Sequence, residues 1–257
     1  MARTFPPPGV VILQETTLKP KRSAAAKKRL LMTAPQAAPA PTTYRVVTTA
    51  ELDAYEKPKG LAAILAVKKQ APTANVFAGH SRKAAKLSIS SAQPETFKSL
   101  TDLHKTLPSE KKMASLGITT EPTSKRVAEE ERNVTVRAFL YAASREADND
   151  FHLIIGLAPD AQEELYMTVE VSGLPAKTSP HYKRLVAARQ AYKDFFGKQL
   201  PGTSYDFYDP PIPVEIEGSL FFDVNHLTGG RPGPQSLRDH IPTVWEIHPI
   251  SRIEFEP

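Results

Sequence analysis

Residues 133–158, NVTVRAFLYAASREADNDFHLIIGLA, decide the fold class of this chain. Two apolar runs, 133–146 and 151–158, are separated by the polar residues Ala-Asp-Asn-Asp. Runs rich in β-branched and aromatic residues are typical of strands, and aspartate and asparagine favour tight turns. The stretch therefore predicts a β-hairpin.

The sequence predicts three further strands, at 164–173, 213–224 and 243–256. A helix is predicted before the second of them, because Ser179 and Pro180 favour a helix start and Gly197 favours its end. Its apolar stripe is formed by Leu185, Ala188, Tyr192 and Phe195. Three strands, a helix and two strands follow the order of the OB-fold. The predicted fold is therefore mostly β, with an OB-like five-stranded barrel at 128–257, and an open α+β sheet is the alternative.

The charges divide the chain into a basic and an acidic part. Residues 1–127 hold 21 Lys and Arg against 8 Asp and Glu, whereas residues 128–257 hold 12 against 20. Residues 1–43 are rich in Pro, Ala and Lys and are predicted to be a disordered basic arm. Residues 44–127 are predicted to be a small mixed segment, with a helix within 91–108, that packs on the barrel.

Several classes of protein are excluded by composition. The chain has no cysteine, which excludes disulfides and thiolate metal sites. It also lacks a run of 18 apolar residues and an apolar signal sequence, so we expect no membrane span and a cytoplasmic location.

Four stretches carry a resemblance to a known family. DNDFHLIIG (148–156), VEVSGLP (169–175), GSLFFD (218–223) and WEIHPI (245–250) resemble a bacterial protein family whose C-terminal half is OB-like. The resemblance covers residues 120–257 and the middle of the chain more loosely. It implies the fold, and it implies no mechanism because the family has no established activity.

Polar residues near the predicted strand ends form a candidate metal site. In an OB barrel, the loop between strands one and two and the loop between strands four and five lie on the same side of the binding face. The candidate ligands are Asp150, His152, Asp223, His226, Glu246 and His248. Imidazoles and carboxylates bind Mn²⁺ or Zn²⁺, and such an ion can activate water or hold a phosphate. One hypothesis is therefore a divalent-metal-dependent phosphodiesterase or nuclease.

A structural polar network is the alternative explanation of the same residues. Asp148 and Asp150 fit turn positions, where carboxylates accept hydrogen bonds from nearby backbone N–H groups. His152 and Glu246 occupy polar positions of alternating strands, which predicts that they face water. No local ligand motif such as H-E-x-x-H supports the metal hypothesis.

Two other segments are candidates for ligand binding at the rim of the barrel. The connection 227–242 contains Arg231 and Arg238, and its length is typical of functional or mobile loops. The stretch SYDFYDPPIP (204–213) is predicted to be a loop, because it is rich in proline. It contains Tyr205 and Tyr208, which are predicted to stack on a ligand or to latch this loop to the barrel.

The sequence favours binding over catalysis. No G-x-S-x-G nucleophile elbow occurs. The first hypothesis is a non-catalytic module that binds a protein or a small ligand at the loop rim. A further hypothesis is a nucleic-acid accessory protein that binds through its basic arm, because the strands within 151–174 lack the Lys and Arg that a nucleic-acid-binding face needs.

Overall fold

The structure is a computed structural model that describes residues 5–20, 43–53, 75–228 and 230–255. The predicted arm residues 1–4 and 21–42 lie outside the described residues. The described chain forms an eight-stranded sheet and four α-helices, so the prediction of a mostly β fold is confirmed. None of the helices within these ranges is long and apolar enough to cross a bilayer.

The predicted elements of the C-terminal half are present close to their expected positions. The strands are β1 (Ile12–Leu18), β2 (Tyr44–Thr49), β3 (Pro94–Phe97), β4 (Asn133–Arg145), β5 (Phe151–Gly156), β6 (Tyr166–Val171), β7 (Asp206–Phe222) and β8 (Trp245–Phe255). The helices are α1 (Lys83–Lys86), α2 (Leu100–Lys105), α3 (Glu110–Ala114) and α4 (Tyr182–Phe196). Helix α4 begins three residues after the predicted cap, Ser179, whose side chain accepts a hydrogen bond from the His181 N–H at 3.3 Å.

Five of the strands pair in a cycle. β4 pairs antiparallel with β5, and β5 pairs antiparallel with β6. β6 pairs parallel with β8, β8 pairs antiparallel with β7, and β7 pairs antiparallel with β4. The sheet is extended beyond this cycle by β3, which pairs parallel with β4, and by β2 and β1, which follow β7.

Strand β7 is longer than the predicted strand 213–224. It begins at Asp206, so residues 206–212 are strand and the prediction of a loop there is wrong. Its first residues pair with β2, in the register Arg45↔Asp209. Pro210 and Pro211 lie where the register between β4 and β7 shifts. Proline has no backbone N–H, and at such an irregularity its absence costs no hydrogen bond between the strands.

The disordered-arm prediction is wrong for residues 12–18, which form β1. This strand pairs with β2 from Leu18↔Tyr44 to Ile12↔Thr49, and Leu18 is buried. The β-branched residues of ILQETTL suit a strand. The Pro, Ala and Lys content of the surrounding segment concealed this signal, because the composition was averaged over all 43 residues.

The predicted helix within 91–108 is also shorter than expected. Residues Pro94–Phe97 form β3, and α2 begins only after Ser99, whose side chain accepts a hydrogen bond from the Asp102 N–H at 3.2 Å. The parallel pairing of β3 with β4 decides this conformation, and a pairing partner 39 residues away leaves no local pattern.

The main hydrophobic core lies on one face of the strands that carry the candidate site. Leu153 on β5, Val169 on β6 and Ile247 on β8 belong to it, together with Tyr192 of α4. Because successive side chains of a strand point to opposite faces, the neighbours of these residues lie on the other face of the sheet. That other face carries the candidate functional residues.

Candidate metal centre

Strands β5, β6 and β8 place four polar side chains on one face of the sheet. His152 pairs with Glu170 in the antiparallel register of β5 and β6. Glu246 pairs with Thr168, two residues before Glu170, in the parallel register of β6 and β8. His248 follows Glu246 by two residues on β8 and therefore shares its face.

This polar face is buried. His152 and Glu246 are each 1% exposed, so the prediction that they face water is wrong. The segment before α1 packs close to this end of the sheet: the Val76 carbonyl accepts a hydrogen bond from the Asn149 side chain at 2.6 Å. The Lys86 carbonyl accepts another from the Ser172 hydroxyl at 3.4 Å. The alternation of polar and apolar residues along a strand predicts that one face of the sheet is polar. The alternation does not show whether another segment of the chain covers that face.

Four of the buried residues form what we call the central set: Asp150, Glu170, Glu246 and His248. The imidazole of His248 has Nε2 at 3.4 Å from Asp150 Oδ2 and Nδ1 at 2.9 Å from Glu170 Oε2. Its Nδ1 is also 3.8 Å from Glu246 Oε2. The other oxygen of Asp150 accepts a hydrogen bond from the Gly173 N–H at 2.5 Å.

The facing polar atoms of the central set lack hydrogen bonds of suitable geometry within the described part of the chain. They are Asp150 Oδ2, Glu170 Oε2, both carboxylate oxygens of Glu246 and both ring nitrogens of His248. Leaving one buried polar group unsatisfied costs about 1–3 kcal/mol, and more when the group is charged. The central set therefore has more acceptors than the protein itself supplies with donors.

Burial and mutual repulsion both act on the carboxyl groups of the central set. Burial raises the pKa of Asp150 well above its usual value, and the neighbouring Asp148 and Glu170 raise it further. The pKa of Glu246 is raised well above its usual value by burial and by Glu170 and Asp223. Burial lowers the pKa of His248, which favours the neutral imidazole that binds metals.

Lys86 supplies one positive charge beside the central set. It is 8% exposed, and its ammonium lies 3.7 Å from Asp148 Oδ2. Burial alone would lower the pKa of Lys86, but the carboxylates around it raise the pKa well above its usual value. Five carboxylates interact with this ammonium: Asp148, Asp150, Glu170, Asp223 and Glu246. The ammonium of Lys86 is therefore shared among several carboxylates.

A second group of potential ligands adjoins the central set at Glu246. Asp223 accepts a hydrogen bond from the Asn225 N–H at 2.9 Å with one oxygen, and its other oxygen is hydrogen-bonded to His226 Nδ1. His226 Nε2 lies 3.3 Å from Asp53 Oδ1. Burial lowers the pKa of His226, but these two carboxylates raise it to about 9.

A third group lies around His152. Its Nδ1 is 2.5 Å from Glu146 Oε1 and 3.7 Å from Asp53 Oδ2, and its buried Nε2 makes no hydrogen bond within the described ranges. Burial lowers the pKa of His152, but Glu146 and Asp53 raise it to about 10. His152 is therefore an imidazolium held by carboxylates.

The structure brings all six predicted metal ligands into three neighbouring groups. They are Asp53, Glu146 and His152; Asp150, Glu170 and His248; and Asp223, His226 and Glu246. Sequence reasoning missed Glu170, although the hairpin register that pairs it with His152 was a usable signal. It also missed Glu146 and Asp53, and no local pattern connects Asp53 with residues almost 100 positions away. The turn interpretation holds for Asp148, whose Oδ1 accepts a hydrogen bond from the Asp150 N–H at 3.2 Å.

The four predicted rim residues contact other parts of the protein. Arg231 pairs with Glu110, and Arg238 donates to the carbonyls of Gly233 at 2.7 Å and Leu52 at 3.1 Å.

The two tyrosines of this prediction, Tyr205 and Tyr208, are both fully buried. The hydroxyl of Tyr205 donates to Asp53 Oδ2 at 3.1 Å. This geometry favours the interpretation of the two rings as a latch, because a buried ring is not available for stacking on an external ligand.

The geometry of the central set suits a divalent cation. Bonds from Zn²⁺ to carboxylate oxygen and imidazole nitrogen are about 2.0–2.2 Å long, so two ligand atoms of one ion are at most about 4.4 Å apart. One ligand atom from each of Asp150, Glu170 and His248 already lies within 4.8 Å of the other two. Small side-chain shifts are therefore sufficient to bring these atoms into one coordination shell.

Comparison of the chain with protein-family models, with curated proteins and with solved structures gave no match. The function is therefore argued from the geometry and the chemistry of the site.

Proposed function

We propose that this protein binds a divalent cation through the central set, on the outer face of an OB-like barrel. The barrel is supported by the cycle of five pairings and by the parallel pairing of β6 with β8. Helix α4, between β6 and β7, stands where the OB-fold has its helix. In this proposal, the main hydrophobic core is the interior of the barrel.

The unpartnered buried atoms of the central set are the observation that carries the proposal. Three carboxyl groups and one imidazole face one another with exposures of 0–3%. Both oxygens of Glu246 have no hydrogen-bond donor within the described residues, and His248 lies between Glu170 and Asp150, at 2.9 and 3.4 Å, without the geometry of a hydrogen bond. A divalent cation can be coordinated by carboxylate oxygens of this set together with one ring nitrogen of His248. Oxygen and nitrogen ligands without sulfur are suitable for Mn²⁺ and Zn²⁺.

The burial of the ligands favours binding over catalysis. A catalytic metal keeps an open coordination position for water or substrate, whereas a structural metal is enclosed by protein ligands. His248 and Asp150 are 0% exposed, which suits the enclosed type. The protein is then a non-catalytic cation-binding module. A phosphodiesterase or nuclease would require a path for substrate to the central set, and nucleic-acid binding through the basic arm stays a separate hypothesis.

Titration calorimetry of the full chain with Mn²⁺ and with Zn²⁺ tests this proposal. We expect the wild-type protein to bind both ions at neutral pH. His248→Gln removes one of three potential ligands that lie within 4.8 Å of one another, and Glu246→Gln removes the carboxylate 3.8 Å from His248 Nδ1. Each substitution is expected to weaken binding at least tenfold.

Matched surface variants serve as controls for these two substitutions. His240 has a side chain that is 47% exposed, and the side chain of Glu254 is 45% exposed. His240→Gln and Glu254→Gln should bind metal like the wild type. Wild-type protein that binds neither ion, or a His248→Gln variant that binds like His240→Gln, would refute the proposal.

A further inference from the structure

Glu246 stands between two groups of potential ligands. Its Oε2 lies 3.8 Å from His248 Nδ1 of the central set. It also provides a ligand atom within 4.8 Å of ligand atoms from Asp223 and His226. Both of its oxygens are buried and make no hydrogen bond within the described residues. A carboxylate with two such oxygens is able to coordinate a different ion with each of them.

The surroundings of His226 resemble the outer shell of a metal ligand. A metal-bound histidine usually donates its second ring N–H to a carboxylate, which fixes the orientation of the ring. His226 Nδ1 faces Asp223, and Nε2 faces Asp53 Oδ1 at 3.3 Å. Asp53 is itself fixed by the Gly233 N–H at 2.7 Å and the Tyr205 hydroxyl at 3.1 Å.

We infer that the protein holds two divalent cations, one in the central set and a second bound by Asp223, His226 and Glu246, with Glu246 shared between them. This inference rests on the proposed function, because the shared carboxylate belongs to both sets. The second ion takes the place of the proton between His226 Nδ1 and Asp223, and that proton is released to solvent. Asp53 is a positioning residue that acts through His226.

The metal content of the Mn²⁺-saturated full chain tests this inference. We expect two manganese ions per chain by elemental analysis after desalting. The electron paramagnetic resonance spectrum should show exchange coupling, because ions that share a carboxylate lie close together, typically about 3.5–4 Å apart in two-metal sites.

Variants separate the second site from the first. Asp223→Asn retains an oxygen for the Asn225 N–H and loses a charged ligand, so we expect one ion and an uncoupled spectrum. Asp53→Asn should keep two ions and weaken the second by about 10–100-fold, the usual effect of removing an outer-shell partner. Asp209→Asn, on a side chain that is 30% exposed, should match the wild type.

The outcomes distinguish the inference from the proposed function. Wild-type protein with one uncoupled manganese ion overturns the second site and leaves the proposed function standing. Wild-type protein with no manganese overturns both. If Asp223→Asn fails to fold by circular dichroism, His226→Gln replaces it, and the wild-type stoichiometry decides the question without either variant.

Discussion

Two fully buried ionic groups in this protein differ in how their polar atoms are satisfied. The first is the pair of Arg82 and Glu130, both 0% exposed. Its guanidinium donates to both carboxylate oxygens, at 2.6 and 2.8 Å. Glu130 also accepts from the Val127 N–H at 2.9 Å and the Phe222 N–H at 2.8 Å. The second group is the central set, which is equally buried and in which six polar atoms lack such partners.

The Arg82–Glu130 pair shows how this protein satisfies a buried charge that has only a structural role. Around Glu130 it provides a bidentate arginine and two backbone donors, so that only Arg82 Nε is without a partner within the described residues. None of the described residues donates a hydrogen bond to the carboxylate of Glu246. The carboxylates of Glu170 and Asp223 are close enough to repel it. The proposed cation would supply the positive charge that the central set lacks.

Breaking the Arg82–Glu130 pair should have the largest effect on stability. Arg82→Met leaves Glu130 as a buried charge without its partner, which typically costs about 3–5 kcal/mol. Urea unfolding in the presence of a chelator measures this loss. The double variant Arg82→Met, Glu130→Met should recover most of it. If Arg82→Met lowers the free energy of unfolding by less than about 1 kcal/mol, the Arg82–Glu130 pair does not stabilise the fold in the way proposed for a satisfied buried pair.

Metal should stabilise the protein through the central set and not through the Arg82–Glu130 pair. At a free Mn²⁺ concentration a thousandfold above Kd, a ligand that binds only the folded state stabilises it by about 4 kcal/mol. A chelator should abolish this gain in the wild type, and Glu246→Gln should show little or none of it. An equal gain in Glu246→Gln would place the ion elsewhere.

Without metal, Glu246→Gln should stabilise the protein slightly. The substitution removes a buried carboxylate that lacks a donor and repels Glu170 and Asp223. The expected gain is on the order of 1 kcal/mol, the lower end of the cost of one unsatisfied buried group. Urea unfolding in a chelator measures it, with Glu254→Gln as the matched control. A loss as large as that of Arg82→Met would identify Glu246 as a structural group with an ordinary partner.

The smallest effect is expected for an ion pair at the surface. Arg137 Nε lies 3.0 Å from Glu215 Oε2, and the arginine side chain is 61% exposed. Exposed pairs usually contribute less than about 1 kcal/mol, so Arg137→Ala should leave both stability and metal binding nearly unchanged. A loss comparable to that of Arg82→Met would mean that burial does not explain the contrast between the ionic groups.

The predictable part of the fold is the part with local patterns. The hairpin of β4 and β5, strands β6 and β8, and helix α4 follow from apolar runs, turn residues and the Pro180 and Gly197 signals. Strands β1 and β3 and the first part of β7 do not, because their partners are distant in sequence. The pairing Arg45↔Asp209, for example, joins positions 164 residues apart.

The residues of the candidate site also include some that the sequence predicts and some that it does not. Asp150 and His248 were predicted as neighbours because their strand ends meet in the expected topology, and they do lie close together. Glu170 is not among the predicted ligands, because alternation along a strand does not distinguish a buried polar residue from one that faces water. Glu170 is nevertheless 3% exposed, and its neighbours His248 and Lys86 are distant from it in sequence. The metal itself stays a prediction.

Anomalous diffraction from crystals of the full chain soaked in Mn²⁺ would locate the cation. We expect an anomalous peak about 2 Å from carboxylate oxygens of Asp150 and Glu170 and from a ring nitrogen of His248. The peak should be absent from His248→Gln crystals. Wild-type crystals with no peak at the central set under saturating Mn²⁺, and with Glu246 hydrogen-bonded to protein or water instead, would contradict the proposed function.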